Sequence, residues 1–421
     1  MMHPLSSTIR AATFLLIMFI DGVGISLVLP LIPDLFGTTS SHSIVAPEMS
    51  PSLRSMLYGT SLAAYSLAMI FGATTLGQVS DRIGRTRTLC LALAGNTAGY
   101  LLCGVAVILK DPTVFLLGRF VGGVFAGSVP VAQAALLDMN AKENRMNSIG
   151  LVMFAVTSGY IFGPVIADSA VTFLFGRAMG FQAPFFLVAG LCVLGLLLLR
   201  SVPEVEAGKR DARIDLSAVF SNIGGLVGNR RIRLVLAGFF LFQMGWSQFY
   251  QFVPYLLRLE FGLSASTTAY VLTTIGVGMS LAFCWLTGVV QPLASSRTVA
   301  LLATVSLLLL TPLLPVVTHL HWLAVLGWTL VLAIAYGLGY TAALVLVLSF
   351  EDPRRQGLIL GSAASIAALS ATVTALSGSY FLGFGVFMLL GMVSCCYAGT
   401  LLLLAAAGQP KSMPEKSESA T

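Results

Sequence analysis

The feature that most constrains this chain is a short run of charge, GQVSDRIGRTR at residues 77–87, standing between apolar runs at about 53–76 and 88–109. Asp81, Arg82, Arg85 and Arg87 all fall inside it. At 1.5 Å per residue each flanking run is long enough to cross ~30 Å of hydrocarbon as a helix. Unpaired charge in that layer is costly, so the four charges mark a water-facing hairpin between two membrane helices. Only 10% of the chain is charged and 57% is apolar, against roughly 45–50% apolar in soluble domains. Lipid must therefore solvate most of the surface.

Apolar segments recur at about 11–36, 53–76, 88–109, 113–137, 148–167, 182–199, 233–256, 266–290, 298–316, 322–348, 357–380 and 384–406. Gly77 and Gly288 share a spacing with Gly150 and Gly361, the mark of a duplicated unit. The expected fold is an all-α membrane protein of twelve transmembrane helices in two pseudo-symmetric six-helix bundles. The first bundle takes residues 1–200, a linker 201–232, the second bundle 233–408 and a polar, disordered tail 409–421. Within the linker Leu216, Val219, Phe220, Ile223 and Val227 recur at helical spacing, which predicts a short amphipathic helix on the membrane surface. The start, MMHPLSSTIR, is brief and weakly charged, and the apolar run after it is too long for a signal-peptide core. The first span is expected to be retained.

With the N-terminus inside, all but five of the 23 Lys and Arg residues fall on the cytoplasmic side. Arg54, Lys110, Arg177 and Arg258 fall outside and Arg119 lies within a span, so the positive-inside rule places both termini in the cytoplasm. The net charge of +6 is then a matter of topology, and no nucleic-acid partner is expected. The expected partners are protons, a small-molecule substrate and the bilayer, with the chain acting as a monomer.

Two charges lie in the membrane itself. Asp21, in FLLIMFIDGVGISLVLPLIP, is ~15 Å deep. Hydrocarbon disfavours its charged form, so it can take up and release a proton unless a cation holds it ionised. A neutral acid bonded to neighbouring backbone is the structural alternative. Arg119 must find an anion or water, which makes it the natural partner for Asp21. Asn96 in the third segment is expected to bond a neighbouring helix. In the seventh segment Gln243, Trp246 and Tyr250 share a face, as a pocket for a planar, mostly apolar ligand requires; an interface belt of aromatics gives the same pattern. Tyr65 is a second pocket candidate, on a face where lipid packing reads identically.

The chemistry of other protein classes is missing from the pattern. The six cysteines fall in apolar segments without metal-ligand spacing and read as small buried residues. His319 and His321 have no carboxylate or thiol beside them, so no metal is expected. No phosphate-binding glycine loop is present, and no set of catalytic side chains suggests an enzyme or a cofactor.

The loop at residues 77–87 resembles the signature between the second and third helices of the major facilitator superfamily. Gly77, Asp81, Arg82, Gly84 and Arg85 match it and Thr86 departs. The fourth segment, with Arg119, Gly123 and Gly127, is similar to that family's arginine-glycine pattern, with Phe125 in place of the middle glycine. Asp138 and Arg145 fit its next cytoplasmic turn. Gly159, Gly163 and Pro164 match the antiporter signature of the fifth span, where Ala167 and Asp168 replace glycines. The first span, DGVGISLVLPLIP, resembles that of tetracycline/proton antiporters.

The resemblance implies a secondary transporter in a bacterial inner membrane, exporting a small, largely apolar compound in exchange for protons. It further implies that Asp81, the Arg85 charge and Asp138 latch the bundles in the outward-facing state, with Asp81 near the N-terminus of the eleventh span. A proton symporter or facilitator for a nutrient, and a non-transporting receptor or scaffold, are the alternative readings.

Overall fold

The computed structural model describes residues 4–37, 42–139, 145–169, 180–204, 230–349 and 356–408. The expected linker helix and tail lie outside the described residues, as do the side chains of Asp138 and Arg145. The described residues are helical nearly throughout, and eleven helical stretches are long and apolar enough to span a membrane. The helix in place of the seventh segment, Arg230–Tyr255, has 26 residues but is not among those eleven. Three arginines in its first turn and the amides of Gln243, Gln248 and Gln251 make it more polar than the rest.

In chain order the helices are α1 (Pro4–Val28), α2 (Ile32–Phe36), α3 (Pro51–Ile83), α4 (Arg85–Leu109), α5 (Pro112–Val124), α6 (Ser128–Met139), α7 (Arg145–Ser169) and α8 (Ala183–Leu199). The second half follows as α9 (Arg230–Tyr255), α10 (Ala265–Leu281), α11 (Thr287–Val290), α12 (Ser296–Leu310), α13 (Leu314–Leu320), α14 (Trp322–Leu348), α15 (Gln356–Leu382) and α16 (Val386–Ala407). Starts are set by side chains that accept the unpaired first-turn N–H groups. Asp111 accepts from Thr113 and Val114 ahead of α5, and Ser50, Ser264 and Ser295 do the same for α3, α10 and α12.

Helices α1 and α3–α8 pack together, as do α9–α16, and the two bundles meet along two seams, α3 against α15 and α7 against α10. The expected glycine seam of the fifth span is where α1 touches α7. A Cβ on Gly159 would stand 2.7 Å from Gly22 Cα, so only glycine lets the two backbones meet. Ser26 closes the contact by donating to Gly159 O at 3.1 Å, and Pro164 lies within α7 one turn on. Gly22, the residue after Asp21, thus packs on the helix that also carries an inter-bundle seam.

Several polar links join the bundles at the end remote from the Asp81 loop and near mid-span. At the far end Arg258 makes a two-pronged ion pair with Asp34, at 2.5 and 3.2 Å. Tyr58 donates to Gln251 O at 2.6 Å and Ser266 to Asp168 at 3.0 Å. Thr273 donates to Ile161 O and Thr372 to Ser66 nearer mid-span. Behind the ion pair, Arg54 gathers the carbonyls of Phe36, Gly37, Ala46, Pro47 and Met49, pinning the connection between α2 and α3. At the other end Gly77 and its repeat partner Gly288 have open space where a side chain would stand. The bundles are closed against each other at the end remote from Asp81.

The duplicated loops are tied down by opposite charges. Glu204 accepts from the N–H groups of Thr86 and Arg87, at 2.9 and 3.3 Å, capping α4 after Gly84 turns the chain at φ +100°. In the second half Arg297 donates instead to Leu404 O and Ala405 O at the end of α16. Each tie suits its helix end: carboxylate at an N-terminus, guanidinium at a C-terminus.

Candidate functional site

The fourth apolar segment is two helices, and the break between them builds the site. After Val124 the chain passes through Phe125, Ala126 and Gly127, where Gly127 N–H bonds Phe125 O at 2.9 Å, before α6 begins at Ser128. The departure from the family glycine pattern has a matching vacancy: the Phe125 ring lies against Gly95 of α4, in the space a Cβ there would fill. The break leaves the Ser128 hydroxyl and the Val129 N–H at the start of α6 to point sideways at α1.

Asp21 takes them up. Its carboxylate accepts from Ser128 Oγ at 2.6 Å, from Asn96 Nδ2 at 3.2 Å and from the Val129 N–H. These are neutral donors at a helix N-terminus, whose dipole favours an anion. The expected pairing of Asp21 with Arg119 is not made. Arg119 is 7% exposed; its Nε donates to Ser61 O at 3.3 Å and its guanidinium lies 4.4 Å from the centre of the Tyr65 ring. Tyr65 stands between the two charges, in electrostatic range of both. The physical reason is the break in the fourth segment: it offers Asp21 a closer set of donors than the arginine, which lies nine residues before Ser128.

Asp21, Tyr65, Tyr100, Tyr160, Tyr250 and Tyr340 are all partly exposed although each lies well inside a span. Tyr160 is in electrostatic range of Asp21 on one side and of Tyr250, Tyr336 and Tyr340 on the other, so groups of both bundles share one central region. One side of that region is an aromatic slab. Trp246 stacks on Tyr336 at 3.9 Å, with Phe242 stacked on that ring at 5.6 Å and Tyr250 parallel to Trp246 at 6.1 Å. Gln243 is part of the slab, its Oε1 accepting from Tyr336 OH at 3.3 Å. The structure therefore brings Asp21, Arg119, Tyr65, Gln243, Trp246 and Tyr250 to one central region. It adds Ser128, Asn96 as a direct partner, Tyr160, Tyr336 and Tyr340.

Asp81 pairs with Arg85 at 2.8 Å within its own loop, and Arg85 also donates to Ser80. Of the cysteines, Cys103 and Cys192 are buried but Cys284 and Cys395 are exposed, correcting the expectation that all six are interior.

The sequence profile of the Major Facilitator Superfamily matches residues 14–375. The tetracycline resistance protein of class C from Escherichia coli is 28% identical over 83% of this chain and 84% of its own length. The class E protein, also from Escherichia coli, is 32% identical over 44% of this chain; the match spans only 41% of that relative. Among solved structures, a D-xylose-proton symporter aligns with a TM-score of 0.75 at 15% identity, covering 96% of this chain and 98% of the other. The human organic anion transporter MFSD10 (TETRAN) aligns at 0.68 and 19% identity, over 96% and 100%.

Proposed function

The chain belongs to the Major Facilitator Superfamily and is a multi-pass membrane transporter, and on that premise we propose that it exports a small, planar, largely apolar compound in exchange for protons. The observation that carries the reading is Asp21: a carboxylate inside a span, held by Ser128, Asn96 and a helix end, with partly exposed tyrosines of both bundles around it, which we read as the lining of a central chamber. By the positive-inside rule the Asp81 end is cytoplasmic, so the arrangement closed by Asp34 and Arg258 faces inward. In this state the chamber takes substrate from the cytoplasmic side. The Trp246–Tyr336 slab stacks on its flat face, and Arg119 offers its terminal amino groups to a polar atom on its edge.

The bundles then rock about the α3–α15 and α7–α10 seams, the far end opens, and Asp21 takes a proton from outside as substrate leaves. Asp81, Arg85 and Asp138 latch the cytoplasmic end in that second state. The chain works as a monomer in a bacterial inner membrane and carries out no covalent chemistry. The names of the relatives make tetracyclines the first compounds to try.

The test uses purified protein in liposomes with an internal pH dye, to which tetracyclines, lipophilic cations and candidate metabolites are added. Substrate-dependent proton flux in wild type, running opposite to the substrate and lost in a folded Asp21→Asn protein, is the expected result. Flux in the same direction as the substrate would make the protein a symporter. Flux unchanged in Asp21→Asn would remove that residue from the coupling.

A further inference from the structure

We propose that the fourth span is a proton-operated hinge, with α6 as its moving half, Asp21 as a removable cap and Ser128 as the residue that positions the cap. The proposal rests on the reading of Asp21 as the proton carrier and says what its proton does. A continuous helix would bond every N–H inside the span to a carbonyl one turn back. Here α5 stops at Val124 and α6 restarts at Ser128, which leaves first-turn N–H groups of α6 without helical partners in a layer that has no bulk water.

Asp21 answers that deficit from another helix, binding the Ser128 hydroxyl and the Val129 N–H at once. The ionised carboxylate is the stronger acceptor and the better complement to the helix dipole; the neutral acid is weaker on both counts. A proton on Asp21 therefore loosens α6 from α1 without breaking any ion pair.

The surroundings are built to let α6 swing. Phe125 fills the space beside Gly95, and the carbonyl end of α5 at Val124 lies against Gly72 of α3, so glycines flank the pivot on both sides. Helix α6 packs on α1, α3, α4 and α7, and α1 is locked to α7 through Gly22 and Gly159. Loosening the cap frees α6 relative to a pair of helices that move together and carry the inter-bundle seam.

The titratable groups that face Asp21 are Tyr65 of α3, Tyr100 of α4, Tyr160 of α7 and Cys192 of α8. Arg119 of α5 lies against the ring of Tyr65, 4.4 Å from its centre. The phenols and thiol are neutral near pH 7, which leaves Asp21 as the group whose charge changes.

Hydrogen–deuterium exchange of the full-length protein in nanodiscs, without substrate, tests the hinge. The peptide covering residues 125–131 is followed across pH, with rates corrected for intrinsic base catalysis. Wild type is expected to step to about tenfold faster exchange as pH falls, the equivalent of losing one charge-assisted bond. Asp21→Asn is expected to sit at the fast level at every pH, while the interior of α6 stays protected in both. Ser128→Ala, which removes one donor to the ionised form, is expected to move the step up by about one pH unit.

A wild-type protein with no step, or a step that persists in Asp21→Asn, overturns the hinge. A step unmoved by Ser128→Ala would make Ser128 merely structural and remove it from the proposal. The exchange step needs neither substrate nor gradient, so it survives if export fails. Coupled flux with no step would remove the hinge alone.

Discussion

Replacing Arg258 by Gln is expected to open the far end of the transporter, and more so than replacing its partner. In the closed state the Asp34 side chain is 5% exposed and that of Arg258 23%. Arg258→Gln leaves a buried carboxylate without its cation, a loss of about 3 kcal/mol by analogy with broken buried pairs. Asp34→Asn leaves the arginine partly in water and still donating to Leu263 O at 2.8 Å, and costs about 1 kcal/mol. At about 1.4 kcal/mol per tenfold, the open fraction rises by roughly a hundredfold in the first variant and roughly fivefold in the second.

Ser55, buried beside the seal, is a suitable reporter. Placed as Ser55→Cys in a protein lacking the six native cysteines, it is alkylated by a membrane-impermeant maleimide at a rate that follows the open fraction. Asp34→Asn combined with Arg258→Gln should react more slowly than Arg258→Gln alone, because no charge is then left buried. Equal or greater acceleration in Asp34→Asn, or none in either, would refute the argument from burial.

Two further outcomes follow from the packing. Gly95→Leu should lower stability by about 2 kcal/mol by driving a side chain into the Phe125 ring, seen as a fall in melting temperature that Phe125→Gly largely reverses; an unchanged melt would show that the ring can move aside. Glu204→Ala should speed exchange at the Thr86 and Arg87 amides by roughly fivefold, as loss of an N-cap worth about 1 kcal/mol requires, whereas Asp81→Asn should leave those amides as they are.

The fold was legible because lipid imposes a coarse grammar: long apolar runs, short charged turns and one side rich in arginine. The two in-membrane charges were legible for the same reason, since nothing but function or a partner tolerates them there. Their pairing was not. Apolar content alone cannot distinguish a continuous span from one broken at Phe125–Gly127, and only the succession Gly127, Ser128, Pro130 hinted at a new helix start. Tyr336 and Tyr340 were invisible because an aromatic ring in an apolar segment reads as packing until its stacking partner is known. Asp34 and Glu204 sit where charge is cheap, at segment ends, and gained meaning only when Arg258 and the start of α4 were placed against them.

The broken fourth span also fixes how large a driving force the transporter needs. A guanidinium clamped on a buried carboxylate resists separation by about 3–5 kcal/mol, more than the ~1.4 kcal/mol that one pH unit supplies. Neutral donors and a helix end grip the same carboxylate by about 2 kcal/mol at most. By giving Asp21 to Ser128, Asn96 and Val129 instead of Arg119, the chain would, in the proposed exchange for protons, set its lock near the strength of an ordinary transmembrane proton gradient, so that the step that turns the cycle could be reversed as readily as it is made.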